Sequence, residues 1–148
     1  LTVEPKSEEL LKLNFSTNNI QIDRNSEIEM FNLVNNERET KGEEGLVEDQ
    51  SLRETARSHC IDMLARGYFS HYTPEGLSSF DRMAQDDIVF DYGGENLALA
   101  PSTKLAMQGL MNSPGHRANI LSKNFGKIGV GVIDGGIYGE MFCQEFTD

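Results

Sequence analysis

The sequence predicts an α+β domain, and three observations carry that prediction. Apolar residues recur at three- to four-residue spacing over the first two thirds of the chain, alternate with period two after Lys127, and follow Ser residues placed to cap helices. Helices come first and antiparallel strands last, the order expected of an α+β fold rather than of alternating βαβ units. A chain of 148 residues suits one domain and can bury a core without disulfide or metal staples.

Residues 1–25 are polar and mixed, with a short apolar cluster at Leu10, Leu11 and Leu13 and an Asn pair at Asn18 and Asn19. This stretch reads as an N-terminal arm or tether, leaving 26–148 as the folded domain. Ser26 and Glu29 stand at capping-box spacing before Ile28, Phe31 and Val34, which predicts a helix over 27–40 that Gly42 and Gly45 end. Ser51 and Glu54 repeat that spacing, and Leu52, Ala56, Cys60, Met63 and Leu64 line one face of a second helix as far as Gly67. Ser78 or Ser79 opens a short third helix to about Ala84. Gly93 and Gly94 read as a loop before the apolar run Leu97 to Ala100, and Ser102 opens a fourth helix. Ser113 followed by Pro114 has the form of an N-cap with proline at the first helical position, so another helix runs to about Leu121. Ile128, Val130 and Val132 then alternate with smaller residues. The Asp134-Gly135-Gly136 turn leads into Ile137 to Phe146, a hairpin by pattern.

Composition excludes several functions. With 24 acidic and 13 basic residues the formal charge is −11, the wrong sign for general binding to a phosphate backbone, so no nucleic-acid partner is expected. Two cysteines cannot build a disulfide scaffold or a four-thiolate zinc site. Cys60 and Cys143 read as buried thiols rather than a bridge. The longest apolar runs fall far short of the roughly 20 residues that cross a bilayer, so no transmembrane segment is expected. A start at Leu1 without a signal segment suggests a processed or trimmed form, and a monomer is expected.

Only His59, His71 and His116 supply imidazoles. His59 lies beside the apolar stripe of the second helix and reads as a buried, hydrogen-bonded core residue. His71 just past a helix end and His116 in a first helical turn occupy the edges where sites are often built. Glu95 sits between small neighbours in Gly93-Gly94-Glu95-Asn96. Two histidines and a carboxylate suit an open zinc site, with His71 and His116 as ligands, or a proton-transfer site. Ser70 and Ser113 lie near these histidines, but no nucleophile elbow or other strong catalytic signature surrounds them. From Asn96 to Ile133 the chain carries Lys104, Arg117, Lys123 and Lys127 and no acid, which would make one wall of a cleft attractive to an anionic ligand such as a lipid headgroup or acidic glycan.

Four segments in register resemble the CAP superfamily, which comprises cysteine-rich secretory proteins, antigen 5 and pathogenesis-related proteins and whose domain is also called SCP. They are Asn35-Asn36-Glu37-Arg38, Gly67-Tyr68-Phe69-Ser70-His71, Gly94-Glu95-Asn96-Leu97 and Ser113-Pro114-Gly115-His116-Arg117-Ala118-Asn119-Ile120-Leu121. The likeness is to bacterial members and spans about residues 27–147. It implies a three-layer α-β-α sandwich with a small central antiparallel sheet and a surface cleft lined by a His, Glu, Glu, His tetrad. His71, Glu95 and His116 fall on three of those positions, with Ser70, Asn96, Ser113 and Arg117 at the periphery. The second Glu is missing, because Leu110 aligns with the Trp that precedes it and Ser113 stands at its own place. The resemblance further implies an extracytoplasmic, secreted or cell-surface protein that binds a ligand or a host or envelope partner, and the polar N-terminal arm is compatible with a tether of the lipoprotein kind. A metal-assisted hydrolase and a lipid or sterol carrier are the alternatives.

Overall fold

The computed structural model describes residues 20–148; the reading of residues 1–19 as a polar arm lies outside them. Residues 20–25 already belong to the folded unit. Strand β1 (Gln21–Ile22) pairs antiparallel with β4 (Lys127–Asp134), and helix α1 (Arg24–Thr40) begins three residues before the expected start. Its cap is Asp23, whose side chain accepts from the Ser26 amide. The expected box at Ser51 is likewise displaced. Helix α2 (Gln50–Arg66) starts at Asp49, which accepts from the Leu52 amide, and ends on left-handed Gly67 as predicted. In both helices an Asp two or three residues upstream took the capping role from a Ser, since a carboxylate at the N-terminus also meets the helix dipole.

The remaining helices are α3 (Ser79–Gln85), with a full capping box between Ser78 and Asp81, α4 (Thr103–Met111), capped by Ser102, and α5 (Pro114–Leu121). Strand β2 (Val47–Glu48) pairs parallel with β4. Strand β3 (Gly93–Ala100) begins at the Gly pair expected to be a loop. Tight packing demands those glycines: a Cβ at Gly93 would press on Phe90 and Phe80, and one at Gly94 on Phe125. The expected hairpin forms, but Ile137 lies in a one-turn 3-10 segment (Gly136–Tyr138), so β5 (Glu140–Thr147) starts later than predicted. The main ladder runs β1-β4-β5-β3.

Helices cover both faces of this sheet, giving three layers. Met30, Val34, Ala106, Leu110 and Ile120 pack on Ile128, Val130, Val132, Phe142 and Phe146 on one side. Ala56, Cys60, Met63 and Leu64 pack on Leu97, Ile133, Met141 and Cys143 on the other. Helix α2 lies directly over Gly129 and Gly131, where any Cβ would collide with its backbone at Leu52–Arg53 and Ala56–Arg57. The alternating glycines of β4 are therefore the seat of α2. The Asn35 to Arg38 segment is structural. Asn35 exchanges two hydrogen bonds with the Leu46 backbone, and buried Arg38 donates to the carbonyls of Ile120 and Ser122, tying α1 to the end of α5.

Candidate functional site

Alternation along β3 and β5 places the polar residues that matter. Glu95 stands opposite Glu145 and Asn96 opposite Gln144 in the antiparallel register, and all four side chains are buried. Because successive residues point to opposite faces, the two Glu face α2 and α3 while Asn96 and Gln144 face α5. One Glu-Asn step thus serves both sides of the sheet.

On the α2 and α3 side, Glu95 Oε1 lies 2.7 Å from His71 Nδ1. Arg82 of α3 grips the same carboxylate, with Nη1 2.7 Å from Oε2 and Nη2 3.1 Å from Oε1, and reaches the His71 carbonyl at 2.7 Å. Its Nη1 is also 3.3 Å from Glu145, and the Cys143 thiol donates to Glu145 at 3.0 Å. Burial alone would raise both carboxyls. For Glu95 the hydrogen bonds from Glu145 and His71 and the Arg82 guanidinium outweigh it and hold the group well below the usual carboxylate range. Burial, with Cys143 and Glu95 alongside, pushes Glu145 well above that range. The pair therefore holds one proton, on Glu145, and one negative charge, on Glu95.

The α5 side is built from amides. Asn96 Nδ2 donates to the His116 carbonyl and to Gln144 Oε1, each at 3.0 Å, and its oxygen accepts from Asn119 Nδ2 at 2.9 Å. Asn119 also reaches the Glu95 carbonyl at 3.3 Å. Ser113 is a correction. It occupies the N-cap position of α5 but makes no side-chain cap bond there; its Oγ instead lies 2.8 Å from His116 Nδ1.

The three predicted positions are thus joined through Glu95 and Asn96, but not as an open surface trio. Glu95 is fully buried and His71 is 4% exposed, while His116 is half-buried. Ser70 is occupied locally, its Oγ accepting from the Tyr72 amide at 3.1 Å. Arg117 donates to the Met111 carbonyl, Lys123 is 84% exposed beside Glu43, and Lys104 lines a separate cavity with Leu33 and Met107. His59 is the core residue expected, its Nε2 2.8 Å from the Ser70 carbonyl. Cys60 and Cys143 are free and buried.

Sequence reasoning missed Arg82 and Glu145. Glu145 is the additional acid beside Glu95, and it comes from β5. The available signal was Gln144-Glu145 inside an otherwise apolar strand, where polar side chains pointing to both covered faces must find buried partners. Among the described residues, Glu95, Cys143 and Glu145 are the group of three ligand-type side chains that converge, within 4.8 Å. Arg82 already places a cation between the two carboxyls, which opposes a metal ion there. His71 is better suited. Glu95 holds its Nδ1, and its buried Nε2 has no hydrogen-bond partner, the orientation that a second-shell carboxylate imposes on a ligating imidazole.

A family model described as the cysteine-rich secretory protein family, CAP, matches residues 31–146. The chain is 39% identical over 121 residues to the uncharacterized protein YkwD of Bacillus subtilis, covering 81% of this chain and 46% of that one. It thus spans about half the length of that relative. An extracellular protein containing an SCP domain from Bacillus anthracis superposes with a TM-score of 0.76 at 32% identity, over 84% of this chain and 41% of that one. An outer surface protein of Borrelia burgdorferi gives a TM-score of 0.80 over 86% and 97% of the two chains, and at 18% identity the likeness is one of fold.

Proposed function

The chain belongs to the CAP family, and from that premise we propose that it is an extracytoplasmic recognition domain, binding a ligand or envelope partner without turnover through the region of His71, Glu95 and His116. Ser70, Asn96, Ser113 and Arg117 form its periphery. The SCP-domain relative from Bacillus anthracis is an extracellular protein, which supports that location, and the polar N-terminal segment suits a surface tether.

One observation carries the non-catalytic reading. Glu95, the carboxylate of the site, is spent on His71 and on the Arg82 guanidinium. Glu95 is also a poor general base, because a carboxylate clamped by a guanidinium and held well below its ordinary range has little proton affinity. The test is co-sedimentation with purified peptidoglycan sacculi and with anionic lipid vesicles, beside hydrolysis assays on ester and peptide substrates. The reading expects binding that a His71→Ala, His116→Ala double variant loses, and hydrolysis no greater in the wild type than in that variant. Turnover abolished by either single variant would overturn it.

The free, oriented Nε2 of His71 favours a second reading, zinc-assisted hydrolysis, with His116 as the other nitrogen ligand and Glu95 as the group that orients His71. Calorimetric titration of zinc into the protein near pH 7.5 decides it. Binding of one ion that disappears in the double variant would move this reading ahead.

A further inference from the structure

Helix α2 seats closely on β4, and that closeness brings the two buried thiols together. Gly131 stands directly opposite Cys143 in the β4–β5 register, on the face that α2 covers. A Cβ at Gly131 would come within 2.5 Å of the Arg57 amide nitrogen, so the helix backbone lies where a side chain beside Cys143 would otherwise be. One turn beyond Ala56, Cys60 reaches the same slot. Its Sγ is 3.7 Å from the Gly131 carbonyl oxygen and 3.6 Å from that of Met141, two residues before Cys143. The Cys60 and Cys143 side chains hydrogen-bond to each other, and both residues are 0% exposed. A disulfide forms without strain only where the backbone already holds two thiols side by side. Here one sits on a 17-residue helix and the other on a strand paired along both edges, so folding itself fixes the contact.

We propose that Cys60 and Cys143 are a disulfide-forming pair, a covalent staple from α2 to β5 made during folding by exchange with a small-molecule disulfide of the glutathione class. The thiolate of one cysteine attacks the small disulfide, giving a mixed disulfide and releasing one small thiol; the second thiolate attacks the mixed disulfide, giving the Cys60–Cys143 bond and releasing the other. Two protein thiols are oxidised, one small disulfide is reduced, and the two protons pass to the released thiols. Burial sets the timing. It pushes both thiols up, and only the thiolate is the nucleophile, so exchange precedes the final seating of α2 and the finished bond is sheltered from outside thiols. Closing the bond also removes the S–H that Cys143 donates to Glu145, so the buried carboxyl pair senses the oxidation state. An extracytoplasmic location, proposed above, is one where such a bond persists; the exchange is read on purified protein and stands or fails apart from that reading.

The experiment is refolding of the whole reduced chain from urea into a mixture of reduced and oxidised glutathione, quenched with acid and read by mass spectrometry and non-reducing peptide mapping, beside the same mixture with urea retained. The expected product is a monomer lighter by two hydrogens, with Cys60 joined to Cys143. Its ratio of oxidised to reduced protein at equilibrium should be about 100-fold higher than in urea, the linkage counterpart of an ordinary disulfide's stabilisation. In the oxidised protein the Glu145 carboxyl carbon-13 signal should move from its position in the reduced protein. Two free thiols or glutathione adducts after refolding, disulfide-linked dimers, or a ratio no higher than in urea would overturn the pairing. An unmoved Glu145 signal would overturn its link to the carboxyls.

Discussion

Glu95 and Asn96 are consecutive on one strand and equally buried, yet they settle into opposite kinds of surroundings. Glu95 enters a charged cluster with His71, Arg82, Glu145 and Cys143; Asn96 enters a web of amides with Gln144, Asn119 and the His116 carbonyl. The strand opposite repeats the contrast, Glu145 beneath one face and Gln144 beneath the other. The difference teaches what each network can do. The charged side ties down a loop histidine at the cost of desolvating ions, so it responds to proton concentration and to any loss of balance. The amide side holds α5 and His116 with groups that do not titrate, so it is a fixed frame.

The largest expected effect comes from unbalancing the charged side. Arg82→Met leaves Glu95 buried without its guanidinium and should cost about 3–5 kcal/mol in urea denaturation. Asn96→Ala, which strands Gln144 and Asn119, should cost about 1–3 kcal/mol by the same measurement. Equal losses would break the comparison. Glu95→Gln should fall below Arg82→Met, because Glu145 can release its proton and take over the partnership with Arg82.

How much of this was legible in the sequence follows the same division. The histidines and Glu95 stood out because glycines and helix ends flank them. Arg82 did not, because a lone Arg in the short helix Ser79–Gln85 reads as a solvated residue, and only the folding of α3 against β3 buries it. The helices were readable from their apolar faces, while their starts slipped where Asp23 and Asp49 capped in place of Ser26 and Ser51. Strand β3 was half hidden, since two glycines that look like a loop are there to admit Phe80, Phe90 and Phe125. The two-residue strands β1 and β2 are too short to show any period.

The pH dependence of stability sharpens the comparison next. Glu95 has a lowered folded pKa, so its contribution is present above the ordinary value of 4.5 and is lost as pH falls through the folded value. Glu145 is raised; its contribution is full below 4.5 and is lost as pH rises through its folded value. Away from both networks, burial and the neighbouring Asp23 push Glu140 up to about 7, so it should erode stability between about 4.5 and 7. Thermal unfolding across this range should show a shallower slope in Glu140→Gln than in the wild type. Asn96→Ala should run parallel to the wild type at every pH, and a changed slope would show that the amide side is not electrically silent.

The smallest effect is expected at Ser113. Ser113→Ala removes the 2.8 Å contact to His116 Nδ1 but no buried charge, so stability should shift by about 0.5–1.5 kcal/mol. Imidazole nitrogen NMR should report a changed tautomer balance at His116 and none at His71. A matching change at His71 would mean that the two networks are coupled through the sheet.

The central claim is that one proton and one negative charge are held between Glu95 and Glu145, and carboxyl carbon-13 NMR of these two side chains from pH 3 to pH 9 tests it most directly. The account predicts that Glu95 keeps the chemical shift of a carboxylate down to the acid end, while Glu145 keeps that of a protonated acid past the range where ordinary glutamates have ionised. Two carboxyls titrating together near 4.5 would contradict it, and with it the assignment of Glu95 as the clamped anion that orients His71.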